Sequence, residues 1–266
     1  MKIVVSNITY YVEIRGKGSP LLFLHGFTGS SQNWMPIVSM LEDSYQCILI
    51  DILGHGRTDS PPDSSLYDIE RVSSDINSIL EELLIEKITL IGYSMGGRLA
   101  LAMAVNYPQR IEKLILESSS PGLQLESERK IRTKNDEKLA NDISQNGIKW
   151  FVDYWEQIPL FETQHSLSTE TKKAIRHQRL NNNKTGLVNS LIGMGTGSQP
   201  SYWDRLNQLE IPVLLICGEI DQKFCEIAKQ MSKKLPNAKV EKITGVGHAI
   251  HVEHPKFFGK IVSEFL

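Results

Sequence analysis

Long apolar runs are missing from this 266-residue chain, and with them any stretch long enough to cross a bilayer as a helix. The opening Met1-Lys2-Ile3-Val4-Val5-Ser6-Asn7 is too short and too quickly polar for a signal peptide, so a cytoplasmic setting is expected. Excess charge is missing as well. The 29 Lys and Arg nearly balance 31 Asp and Glu, a formal charge of −2 that gives no bulk attraction to nucleic acid or an anionic membrane. Recognition of an anion must therefore come from local placement. Cysteine is scarce: Cys47, Cys217 and Cys225 form no C-x-x-C pair, and the first two lie in apolar strand-like runs, which suits small buried hydrophobes better than metal ligands or disulfides. Neither G-x-G-x-x-G nor G-x-x-x-x-G-K-[ST] occurs, so dinucleotide and P-loop chemistry have no support and no cofactor is expected. With 41% hydrophobic and 23% charged residues, the chain has the means to bury one sizeable core.

What is present is an alternation of short apolar runs with helical patterns. Strand-like stretches Ile3 to Ile8 and Thr9 to Ile14 predict a hairpin, and Leu21 to Leu24, Cys47 to Ile50, Ile88 to Ile91 and Leu114 to Leu116 read as buried strands. Helical patterns near Trp34 to Leu41, Ile69 to Leu84 and Gly97 to Asn106 fall between them. This order predicts an α/β architecture, a mostly parallel sheet with helices on both faces. From Gly122 to Leu209 the chain turns polar and helix-patterned with no obvious strand, before Val213 to Ile216 restores the rhythm. A core of residues 1–121 and 210–266 interrupted by a helical lid over 122–209 is the expected division.

Gly92-Tyr93-Ser94-Met95-Gly96 stands between one of those strands and one of those helices. Glycines two residues either side of the serine permit a strained strand-to-helix turn that lifts the hydroxyl above the sheet. A serine is a poor nucleophile or base at neutral pH unless an imidazole takes its proton and a carboxylate fixes the imidazole's tautomer. In chain order the partners at strand ends are Asp221, after Gly218-Glu219-Ile220, and His248, after Gly245-Val246-Gly247; Glu219 and Glu117 are competitors for the acid. The backbone N–H groups of Met95 and of Phe27, in His25-Gly26-Phe27, are placed to form an oxyanion hole. His25 itself reads as structural. His248, His251 and His254 recur at three-residue spacing without a carboxylate motif such as H-E-x-x-H, so packing and capping are preferred to metal binding.

Taken in order, H-G-F, D-x-x-G-x-G-x-T from Asp51 to Thr58, G-x-S-x-G, G-x-x-D and G-H resemble the α/β-hydrolase fold superfamily across essentially the whole chain. That frame hosts esterases, carbon–carbon bond hydrolases, haloperoxidases and non-hydrolytic lyases, so it does not by itself give a reaction. Within it the chain is similar to the 2-succinyl-6-hydroxy-2,4-cyclohexadiene-1-carboxylate synthases of menaquinone biosynthesis, through Gly92 to Arg98, Pro121-Gly122-Leu123 with Arg132, Trp155-Glu156-Gln157, Arg179, Gly193 to Gly197, Asp221 to Phe224 and Gly247 to Glu253. Leu53 and Thr58 depart from the proline and serine common in that family. The resemblance implies a lyase that expels pyruvate from a small polycarboxylate, with Arg98, Arg132 and Arg179 holding carboxylates and Tyr93 and Trp155 as substrate-contacting aromatics. Fork-shaped, permanently charged guanidiniums suit carboxylates. Arg129 and Arg176, which share helix faces with Arg132 and Arg179, read rather as surface pairs. The rival expectation is a serine hydrolase using the same three groups.

Overall fold

Eight strands form one sheet: β1 (Lys2–Val5), β2 (Ile8–Arg15), β3 (Ser19–Leu24), β4 (Tyr45–Ile50), β5 (Ile88–Tyr93), β6 (Ile111–Glu117), β7 (Val213–Gly218) and β8 (Ala238–Ile243). Their spatial order is β1-β2-β4-β3-β5-β6-β7-β8 in this computed structural model, which describes residues 1–266. β1 and β2 pair antiparallel, as do β2 and β4, and every other neighbouring pair is parallel. The hairpin turns at Ser6 and Asn7, whose φ angles of 51° and 63° are left-handed, rather than at the expected junction near Ile8 and Thr9. Short polar side chains tolerate that conformation, and an apolar run alone does not mark it.

The central strands are buried on both faces, as a parallel sheet covered by crossover helices requires. Helices α2 (Ile69–Glu82), α3 (Met95–Asn106) and α7 (Gln222–Ser232) contribute to the core cluster on one side. α1 (Met35–Leu41), α8 (Ile250–Glu253) and α9 (Pro255–Phe265) contribute to that on the other. No helix is long and apolar enough to cross a membrane.

Between β6 and β7 the chain is helical throughout its regular structure: α4 (Glu126–Trp155), α5 (Thr169–Leu180) and α6 (Lys184–Met194), with short 3-10 turns. α4 breaks at Gly147, where φ is 81° and ψ is 177°. A small core of Ala140, Ile143, Phe151, Val152, Leu187 and Leu191 ties α4 to α6. α6 docks on the sheet layer at Gly186, where a Cβ would fall 2.1 Å from the carbonyl oxygen of Gly54. Asn189 adds hydrogen bonds to the carbonyls of Pro61 and Pro62, both 3.0 Å. The helical segment thus sits over the carboxyl ends of the parallel strands, where open α/β sheets carry their sites.

Candidate active site

β5 runs directly into Ser94, whose φ of 50° and ψ of −108° are a strained conformation for a residue with a side chain. The turn closes only because its flanks are bare. A Cβ on Gly96 would lie 2.2 Å from the Leu24 carbonyl oxygen, and one on Gly92 would lie 2.5 Å from that of Gly96. The Ser94 amide donates to the Glu117 carbonyl at 2.9 Å, fixing the turn to the end of β6.

Three groups from three separate strand ends meet here. Ser94 Oγ lies 3.0 Å from His248 Nε2, and His248 Nδ1 lies 2.6 Å from Asp221 Oδ2. The carboxylate requires the proton on Nδ1, which leaves Nε2 to accept from the serine hydroxyl. Asp221 Oδ1 also accepts from the Phe224 amide at 3.3 Å, so the acid caps α7 while it orients the histidine. The rings of Tyr93, Phe161 and Phe224 surround the imidazole, which is 1% exposed.

The two competing acids are engaged elsewhere. Glu219 faces Lys242 Nζ at 3.2 Å and the Gly245 amide at 3.3 Å. Glu117 is fully buried and accepts from the His251 amide at 3.0 Å, with His251 Nδ1 3.0 and 2.8 Å from its two oxygens. His251 stacks on Trp34. His25 accepts from the Ile52 amide through Nε2 at 2.9 Å and donates through Nδ1 to the Gly26 carbonyl at 2.8 Å, joining the loops after β3 and β4. Burial pushes its pKa down, as it does that of His55, to about 3. Both are structural and neutral.

A cavity of about 400 Å³ opens over Ser94 and His248, and Phe27, Tyr93, Met95 and Trp155 help to line it. The Phe27 and Met95 amides donate to no protein acceptor, and both residues line the same cavity as Ser94. Burial holds the Tyr93 phenol well above its ordinary pKa, with Glu117 adding to the rise, so it keeps its proton.

Arg98 and Arg132 both line this cavity. Arg98 Nη1 donates to Oε1 of Gln199, a neutral partner. Burial pushes the Arg98 pKa down to about 10, the Arg132 charge adds to the fall and Asp136 opposes it. Arg132 Nε donates to Asp136 Oδ1 at 2.8 Å. Arg179 is not brought to the same wall. It stands behind Phe161 in an adjoining cavity of about 40 Å³, its guanidinium 4.9 Å from that ring, donating to Gln164 Oε1 at 3.1 Å and 3.7 Å from Glu156 Oε1. Arg129 donates to the Leu123 and Gln124 carbonyls, and Arg176 pairs with Glu156 and Asp153. Two residues of the site escape a reading of the sequence: Gln199, which lies 101 positions from the arginine it holds, and Lys223 of the cavity lining. Only the latter left a signal, its position in the first turn after Asp221.

Comparison with known proteins narrows the frame. Residues 19–255 match the family described as the alpha/beta hydrolase fold. A Bacillus subtilis (strain 168) protein, provisionally named a 2-succinyl-6-hydroxy-2,4-cyclohexadiene-1-carboxylate synthase, is 49% identical over 99% of this chain and 96% of its own length. The synthase of that name from Photorhabdus laumondii subsp. laumondii is 32% identical over 92% of this chain and 84% of its own. Among solved structures, MenH from S. aureus has a TM-score of 0.92 at 37% identity, covering 97% of each chain. A thermophilic esterase from Thermogutta terrifontis with malate bound has a TM-score of 0.87 at 25% identity, covering 100% of this chain and 97% of that one.

Proposed function

Because this chain belongs to the alpha/beta hydrolase fold family and, within it, to the 2-succinyl-6-hydroxy-2,4-cyclohexadiene-1-carboxylate synthases, we propose that it eliminates pyruvate from 2-succinyl-5-enolpyruvyl-6-hydroxy-3-cyclohexene-1-carboxylate. Ser94, polarised by His248 and Asp221, takes the ring proton alpha to the succinyl ketone. The Phe27 and Met95 amides hold the enolate oxygen. Collapse of the enolate breaks the carbon–oxygen bond to the enolpyruvyl group, which takes up a proton and leaves as pyruvate. No acyl-enzyme forms and no water is consumed.

One observation carries this reading: beside the serine a buried guanidinium, Arg98, is held by a neutral amide, so its charge awaits an anion. Arg132 provides a second carboxylate contact, and Tyr93 and Trp155 form the wall against the ring. Arg179, proposed from the family pattern to bind substrate, acts in this reading through Phe161 and Tyr93, which separate it from the main cavity. The division into core and a lid over 122–209, and a cytoplasmic setting, belong to the same proposal.

A serine hydrolase is the second reading, favoured by the triad's geometry and the esterase likeness. Purified protein given the enolpyruvyl precursor, with lactate dehydrogenase reporting pyruvate, decides between them. Pyruvate release that falls about 10²–10⁴-fold in Ser94→Ala supports the lyase. Burst hydrolysis of p-nitrophenyl acetate with rapid fluorophosphonate labelling, and no pyruvate, overturns it.

A further inference from the structure

The proposed substrate bears three carboxylates, one on the ring, one on the succinyl arm and one on the enolpyruvyl group, yet only two arginines line the cavity. We propose that Lys223 supplies the third carboxylate contact and is a specificity-determining residue, an inference that rests on the reading of the substrate as a tricarboxylate. Lys223 is the remaining cation of the cavity wall, Arg179 being screened by Phe161 and provided with Glu156.

Three features set this lysine apart. Its ammonium forms no ion pair or hydrogen bond with any protein group and rests 5.5 Å from the Phe224 ring, which lies 4.7 Å from the His248 ring. It occupies the first turn of α7, where the helix dipole disfavours a cation, so helix stability does not account for it. It is also exposed where Arg98 is enclosed, which puts it toward the mouth. Against Arg98, Arg132 and Lys223 the lining holds one glutamate, Glu128. The lining therefore carries a surplus of positive charge, which favours a polyanion over a neutral ligand. A lysine contributes a mobile point charge rather than a fixed fork, which suits a carboxylate near solvent.

Lys223→Gln tests this in two assays. With the enolpyruvyl precursor, KM rises about tenfold while kcat stays within twofold, the size expected for loss of one charge-assisted contact. Lys223→Arg restores KM to within threefold, and Lys229→Gln, which removes a charge elsewhere on the same helix, leaves it unchanged. Calorimetric titration with tricarballylate needs no turnover, and its affinity falls about tenfold in Lys223→Gln. If KM and tricarballylate affinity are unchanged, or if kcat falls alone, Lys223 is not a carboxylate contact. Tricarballylate binding that depends on Lys223 in a protein releasing no pyruvate sinks the reaction and leaves the subsite standing.

Discussion

Replacing Arg98 by methionine is expected to make the protein more stable and less active. Burial removes water from the charge and pushes the guanidinium pKa down from its ordinary value to about 10. A folded-state pKa below the unfolded value means that the fold disfavours the charged form. At about 1.4 kcal/mol per unit this amounts to roughly 3 kcal/mol, and to about 2 kcal/mol once discounted for water reaching the arginine through the cavity it lines. At neutral pH the group is charged in both states, so the whole penalty is present. Methionine removes it and gives back about 1 kcal/mol through the lost hydrogen bond to Gln199. The net gain of about 1 kcal/mol raises Tm by about 2–4 °C. Substrate recognition moves the other way: a buried bidentate contact to a carboxylate lost at one end costs about 3–4 kcal/mol, a fall in kcat/KM of roughly 10²–10³-fold. Urea unfolding and the coupled pyruvate assay on the same preparation read both. A variant that loses 1 kcal/mol or more, or keeps its kcat/KM, would refute the reasoning, because Arg98 would then be a structural cation. Arg98→Lys is not expected to rescue activity, since an ammonium lacks the planar fork.

Two further outcomes follow from groups below the site. Glu117→Gln lowers stability by about 2–3 kcal/mol, because a buried carboxylate receiving His251 through both backbone and ring becomes an amide with a donor to place. It also lowers kcat more than KM, since α8 then no longer holds the His248 loop. Equal kcat in the folded variant would show that the anchor does not position the histidine. Acid sensitivity should appear above the carboxylate range. His55, with a pKa of about 3, and His25, shifted the same way, are neutral in the fold, whereas the unfolded chain takes up protons below pH 6.5. Stability is full above pH 6.5 and is lost as pH falls toward 3, by about 2 kcal/mol for His55 alone between pH 6.5 and 5. Denaturant titrations at pH 7 and pH 5 giving equal stability would contradict this.

Much of the frame is legible because sheet and helix impose different periods on the same sequence. The apolar runs at Leu21 to Leu24 and Ile88 to Ile91 announce strands covered on both faces, and the glycines around Ser94 announce a turn that other residues could not make. Chain order brings Ser94, Asp221 and His248 forward as one group, and the structure joins them by hydrogen bonds. What spacing along a helix does not convey is which neighbour intervenes. Arg176 and Arg179 share a face, yet Asp153 of α4 and Glu156 just after it hold the former and Phe161 stands between the latter and the main cavity. The partnership of Arg98 with Gln199 spans most of the helical segment between β6 and β7, and no local pattern encodes it. The reversal at Ser6 and Asn7 is hidden for the opposite reason: polar residues at both positions interrupt the run so briefly that the strands read as shifted.

The interruption of α4 at Gly147 separates two duties. Because a Cβ there would touch nothing, the glycine serves a backbone angle rather than a tight fit. Arg132 rides on the limb before it and Trp155 on the limb after it, and no continuous ladder of hydrogen bonds carries a rotation of one to the other. The helix is jointed like a finger rather than stiff like a rod, so its aromatic half can be reshaped for a different ring while its cationic half keeps its seat.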